Sequence, residues 1–173
     1  KPRWDERSVN ITGNYVFESK NCQDCFEVVG AENSKYLMMV TDRPVKDCCD
    51  ISGWGNNLEL SYECGIVGEN SSRMRFCHDS GIDAYDAEYC KQTFGGSHQF
   101  GCVSAKKGVH CILNKKYTKE EFESLRTKIV RYMSDMPYMD RQGDTYRYGE
   151  FFPVELSPSG YNETLAQKFF PLS

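Results

Sequence analysis

Along the first two thirds of the chain, short apolar or aromatic stretches alternate with clusters of small polar and turn-forming residues. Units can be opened at Asn21, Asn33, Asp47, Asn57, Asn70, Ala84, Ser97 and Val109, and successive openings lie 10 to 14 residues apart. The cysteines keep the same beat: Cys64, Cys77, Cys90 and Cys102 are spaced by 13, 13 and 12. An aromatic residue stands just ahead of each, as Tyr62, Phe76, Tyr89 and Phe100. A period near 13 is too short for a pair of helices, whose repeats run to ~33–45 residues. It suits a strand of ~5 residues, a turn and a second short extended piece. One such unit cannot bury an apolar face alone, whereas a stack of them makes a continuous core. The pattern therefore predicts an all-β fold, a parallel β-solenoid (β-helix) over residues 1–116.

Side-chain volume bears on the size of the coil. Trp54, Phe76, Phe94 and Phe100 are expected to need interior room, which favours a coil of two units, ~25 residues, over a coil of one. Asn and Gly at unit boundaries suit bends with a left-handed backbone. Stacked Asn side chains are expected to hydrogen-bond along the ladder.

The character of the chain changes after Asn114. Thr118-Lys119-Glu120-Glu121 reads as a capping box, and Phe122, Leu125, Ile129, Tyr132, Met133 and Met136 then recur at helical spacing. An amphipathic helix is predicted over 118–136, stopped by Pro137 and laid over the open end of the solenoid as a cap. Residues 137–149 read as a loop. Residues 150–173 are dense in aromatics and prolines and read as an arm packed back on the body, with a short helix near 162–169. The second unit, 117–173, is thus a capping helix and a C-terminal arm.

The chain has 173 residues, one domain's worth, and 39% of them are apolar, enough for a packed core. Its net charge is −4, from 21 basic and 25 acidic residues, which weighs against broad nucleic-acid binding. No apolar run approaches the ~18–20 residues of a membrane helix, so no membrane partner is expected. With no initiator Met and no signal-like segment, Lys1 is expected to begin a processed or trimmed chain. Nine cysteines, an odd number, leave at least one thiol outside any intramolecular disulfide set. Their density is below the ~8–10% of small disulfide scaffolds, which favours a reducing, cytoplasmic setting. A secreted or cell-surface setting is the alternative, and only there would the sequons at Asn10, Asn70 and Asn162 matter.

The run from Cys111 through Asn114, Tyr117 and Thr118 to Phe122 resembles a block in a family of uncharacterised Cys- and Asn-rich repeat proteins of reduced-genome, candidate-phylum bacteria. Tyr148-Gly149-Glu150-Phe151-Phe152-Pro153, Leu156-Ser157-Pro158, Tyr161-Asn162-Glu163 and Phe170-Pro171-Leu172 are similar too. So are Asn21-Cys22 with Cys25-Phe26, and Phe100-Gly101-Cys102-Val103. The likeness spans residues 19–172. It implies no established activity and no catalytic residues; longer members carry zinc-ribbon-like cysteine pairs that this chain lacks.

Candidate chemistry is sparse. Cys22 and Cys25 form the one C-x-x-C, and with Cys48 or Cys49 from a neighbouring coil they are the candidate zinc ligands. Against this, free cysteines mostly serve as small buried hydrophobes, and an interior stack is the expectation for most of these. His78-Asp79 with Asp83 and Asp86 is the densest polar cluster, and paired carboxylates are the minimum for glycoside chemistry. His98, His110 and Cys102 are the nucleophile-and-base candidates, which would need hydrogen-bonding proximity. Gly95-Gly96 lacks the spacing of a phosphate loop. Lys106-Lys107, Lys115-Lys116 and Lys119, with Arg126, Lys128 and Arg131, make a basic region with interleaved aromatics, suited to a solvated face or to single-stranded nucleic acid. The sequence thus points to a non-enzymatic structural or binding scaffold without a cofactor, its partner a protein or another copy. The alternatives are a zinc-containing nucleic-acid-interacting module and a β-helical carbohydrate-active enzyme.

Overall fold

A computed structural model describes residues 9–10 and 61–164 in full, together with the backbone of short strands ahead of them. One parallel sheet holds β1 (Asp5–Glu6), β2 (Gly13–Phe17), β3 (Cys25–Val29) and β5 (Met38–Val40). A second opens with β4 (Ala31–Glu32), β6 (Val45–Lys46) and β7 (Leu58–Glu59) and runs on through β8 (Ser72–Arg75), β9 (Gly81–Glu88), β10 (Phe94–Phe100) and β11 (Lys106–Ile112). It ends on β12 (Lys115–Lys116), which is antiparallel to β11. All the preceding pairs are parallel, with registers such as Gly13↔Cys25, Val45↔Leu58, Ser72↔Tyr85 and Gly96↔Gly108. Each strand therefore lies on the one about a dozen residues earlier, and the fold is a parallel β-solenoid.

The coil is one unit, not two. Across the described coils a buried residue recurs at nearly every third position, and the residue before it has a left-handed backbone: Arg73, Phe76, Asp79, then Asp83, Asp86, Tyr89, Gln92. Each left-handed residue turns a corner, so a coil is a four-sided ring of three-residue sides. The inward columns are Ser61, Met74, Ala87, Gln99, Cys111 on the first side and Cys64, Cys77, Cys90, Cys102 on the second. Val67, Ser80, Thr93, Ala105 line the third, and Ser71, Ala84, Gly96, Gly108 the fourth. The third side has an extra residue at Asn70 and at Asp83, and loses it at Gly95, where the register shifts between Phe94 and Gly96. That is why the cysteine spacing falls from 13 to 12.

Such a ring has no room for aromatics, and its interior is built from small side chains. Where one is large, its neighbours shrink: Gln99 reaches the Gly95 and Gly108 carbonyls at 2.8 and 3.1 Å, and a Cβ on Gly96 would stand 2.8 Å from its Nε2. The rings expected inside lie outside. Phe76 and Tyr89 stack at an outer corner, Phe100 packs beside them on the first side in the Glu88 column, Phe94 is exposed, and Trp54 lies outside the described residues. Asparagine does not ladder with asparagine among the described residues; Asn70 instead meets Asp83 of the next coil.

The helix α1 (Lys119–Asp135) follows with Thr118 as N-cap and the reciprocal Glu121 bond in place. It closes the molecule from the flank. Phe122 packs with Phe100 and Ile112, and Leu125, Ile129, Val130 and Met133 join them, whereas Tyr132 and Met136 face solvent. The strand edge beyond β11 is met by β12, and beside it the Asn114 side chain accepts from the Val103 N–H (2.9 Å) and donates to its carbonyl (2.7 Å). The expected loop after the helix contains a small hairpin, β13 (Tyr138–Met139) and β14 (Thr145–Tyr146). Of the expected short helix near 162–169, a 3-10 turn at Tyr161–Glu163 is seen, and residues 165–173 lie outside the described part.

Candidate binding surface

With the interior filled, chemistry has to be sought on the four outer sides. The first is covered. Glu88 on that side, nearly buried, takes Arg126 of α1 at 2.8 Å and Arg75 at 3.1 Å, and the Tyr148 hydroxyl donates to it at 3.2 Å. Tyr89 donates to the Glu150 carbonyl and accepts from the Gly149 N–H, both at 3.0 Å, and burial pushes its phenol up to about 12. Phe76, Tyr148 and Phe152 complete an aromatic cluster around Tyr89. The helix and arm thus strap the ring-bearing corner.

The second side carries Gly65, His78, Lys91 and Val103 outward over the cysteine column. Each of Cys64, Cys77, Cys90 and Cys102 donates to the carbonyl two residues back, at 3.2–3.6 Å. Ser80 makes the same inward bond with its hydroxyl, to His78, at 3.0 Å. Burial pushes the Cys77 thiol well above its ordinary value. These cysteines and Cys111 are free thiols, as an interior stack implies. Cys22, Cys48 and Cys49 lie outside the described residues, and Cys25 is described only as backbone at the start of β3, opposite Gly13. Among the described residues no group of three or more His, Cys, Asp or Glu is placed to hold a metal ion.

The polar cluster does not converge. Asp79, Asp83 and Asp86 occupy three different corners, and each is bonded along the stack rather than toward the others. Gln92 donates to Asp79 at 3.1 Å, Asn70 to Asp83 at 3.2 Å, and Arg73 to Asp86 through two bonds of 2.5 and 2.7 Å. The Arg73 guanidinium holds the Asp86 carboxyl below its usual range. His98 and His110 share the Asp86 corner, their rings 5.1 Å apart and both against Phe122. Cys102 points inward to backbone carbonyls at 3.6 and 3.5 Å, so the structure does not join it to either histidine.

Sequence reasoning missed two features. One is the Glu88 clamp: Arg75 lies one coil back, but Arg126 and Tyr148 are 38 and 60 residues away and leave no local signal. The other is the third side, where Gly68 and Gly81 floor a shallow depression, about 10 Å³, edged by Ile66, Ile82 and Phe94. Gly81 has φ +139°, and a Cβ there would lie 2.4 Å from the Gly68 nitrogen, so this position tolerates no side chain. The three-residue period would have exposed both glycines as outward positions of one column. Comparison with protein-family models, with curated proteins and with solved structures gave no match to this chain.

Proposed function

We propose that this protein is a non-enzymatic scaffold whose regular outer sides bind a partner. The observation that carries this reading is the direction of the polar contacts. Each aspartate of the candidate cluster is bonded to a residue of the adjacent coil, and the thiols are bonded to backbone carbonyls inside. Side chains spent on neighbouring coils hold a surface flat and in register, which suits binding over an extended area. Glycoside cleavage asks for two carboxyls ~5–9.5 Å apart on one substrate, whereas these three sit at separate corners and are each bonded to an adjacent coil.

The test is release of reducing sugar from a panel of soluble polysaccharides by the full chain and by Asp79→Asn, Asp83→Asn and Asp86→Asn. No release above the blank is expected. Hydrolysis abolished by any one of these substitutions would overturn the reading and favour the carbohydrate-active alternative.

A further inference from the structure

No described residue covers the third side, and its charge is polarised along the stack. From Lys91 to Lys119 the chain has Lys91, Lys106, Lys107, Lys115, Lys116 and Lys119 and not one Asp or Glu. The preceding coils carry Glu63, Glu69, Asp79, Asp83, Asp86 and Glu88 against Arg73 and Arg75. The two arginines are committed to Asp86 and Glu88, whereas Lys106 and Lys107 form no ion pair among the described residues. Shape is polarised the same way. One column reads Gly68, Gly81, Phe94, Lys106, an empty floor followed by a projecting ring and then a cation. The corner beside it bulges by one residue in the coils of Asn70 and Asp83 and is trimmed in those of Gly95 and Lys107.

We propose that this side binds a second copy of the chain, antiparallel, about a two-fold axis passing between the Gly81 and Phe94 levels. The operation sets Phe94 of each copy over the shallow Gly81 depression of the other, beside Ile66 and Ile82. It brings Lys106 and Lys107 of each copy to the Glu69 end of the other, and sets the bulged coils against the trimmed ones. A surface that is its own complement in charge and in relief is what an isologous contact requires. Rungs ~4.8 Å apart make the described contact roughly 20 Å long, in the range of weak and transient interfaces. The association is therefore weak, with Kd from about ten to a few hundred micromolar, and sensitive to salt. This inference rests on the scaffold reading, for which it names the partner.

Sedimentation equilibrium of the full chain, from about 10 μM to about 0.5 mM and at roughly 20 mM and 0.5 M salt, tests it. The expected result is a mass that rises toward the dimer in low salt and stays monomeric in high salt. Phe94→Ser, at an exposed site, is expected to weaken association at least about tenfold. The double variant Lys106→Glu, Lys107→Glu and the single variant Glu69→Lys are each expected to stay monomeric. Their equimolar mixture is expected to dimerise, because both copies of the contact then pair opposite charges. A wild-type chain that is monomeric throughout overturns the proposal, as does a mixture that fails to associate. So does a monomer that instead binds a single-stranded oligonucleotide through the same lysines. Because the readout is mass, its failure is distinct from any result of the sugar-release assay.

Discussion

A left-handed backbone at nearly every third residue is costly for ordinary side chains, roughly 1–2 kcal/mol each, and here Phe76, Tyr89, Gln92, His98 and Leu113 all adopt it. Ladder hydrogen bonds such as Phe76 N–H to Tyr62 C=O (3.0 Å) and Tyr89 N–H to Arg75 C=O (3.0 Å) offset that strain. Leu113 is exposed with φ 49°, one coil beyond Gly101. Leu113→Gly is therefore expected to raise stability by up to about 1 kcal/mol in urea denaturation, with a fall of similar size refuting the strain argument. Gly96→Ala should act in the opposite sense, because its Cβ would meet the Gly108 carbonyl oxygen at 2.0 Å. A loss of about 3 kcal/mol or more is expected by the same measurement. The inward cysteines behave as donors sized like serine. Cys77→Ser is expected to cost no more than about 1 kcal/mol, and the native thiols, Cys77 held high by burial, should resist alkylation until the chain is unfolded.

At the scale of elements, the helix is held by contacts that sequence alone does not reveal. Replacing Glu88 with Gln leaves Arg126 facing a neutral amide, with an expected loss of roughly 2–4 kcal/mol. Faster hydrogen exchange in α1 than in β9 and β10 would show that the strap lifts before the coils open, and uniform exchange would show the reverse. The Arg73–Asp86 pair has a pH signature. Since the folded carboxyl is held low, its contribution is present above the unfolded value near ~3.9 and is lost as pH falls through the folded value. Both side chains are part-exposed, so Asp86→Asn should cost well under ~1 kcal/mol near neutrality, a cost that shrinks as the carboxylate is protonated in acid. The helix was legible from Thr118, Glu121 and the spacing of Phe122, Leu125 and Ile129, because capping and periodicity are local. The coil was legible in period but not in size. Phe76 and Tyr89 look like core residues in a sequence, and only the covering arm, tens of residues later, allows them to be buried on the outside. The candidate carboxylates share a short stretch of sequence and yet different corners, since three residues turn the chain by a right angle.

For the molecule as a whole, parallel stacking whose register shifts once, between Phe94 and Gly96, means that the coils ahead of that shift are nearly interchangeable. Removing residues 74–86 would bring Arg73 to Ala87, which occupies the same inward column as Met74. The shortened chain is expected to fold cooperatively with a smaller m-value in urea, because less surface is buried. A broad, non-cooperative transition would mean that the coils are not equivalent. The charge gradient is also a property of the whole stack and not of any single coil, which is why a net charge of −4 gave no hint of it.

A column of equivalent rungs has no intrinsic length, so something must tell it to stop. The Asn114 amide offers Val103 the donor and acceptor that a further rung would supply, and so acts as a chain terminator for growth in that direction. Replacing it with leucine would uncover a template, and the monomer would acquire the means to seed a fibre from its own end.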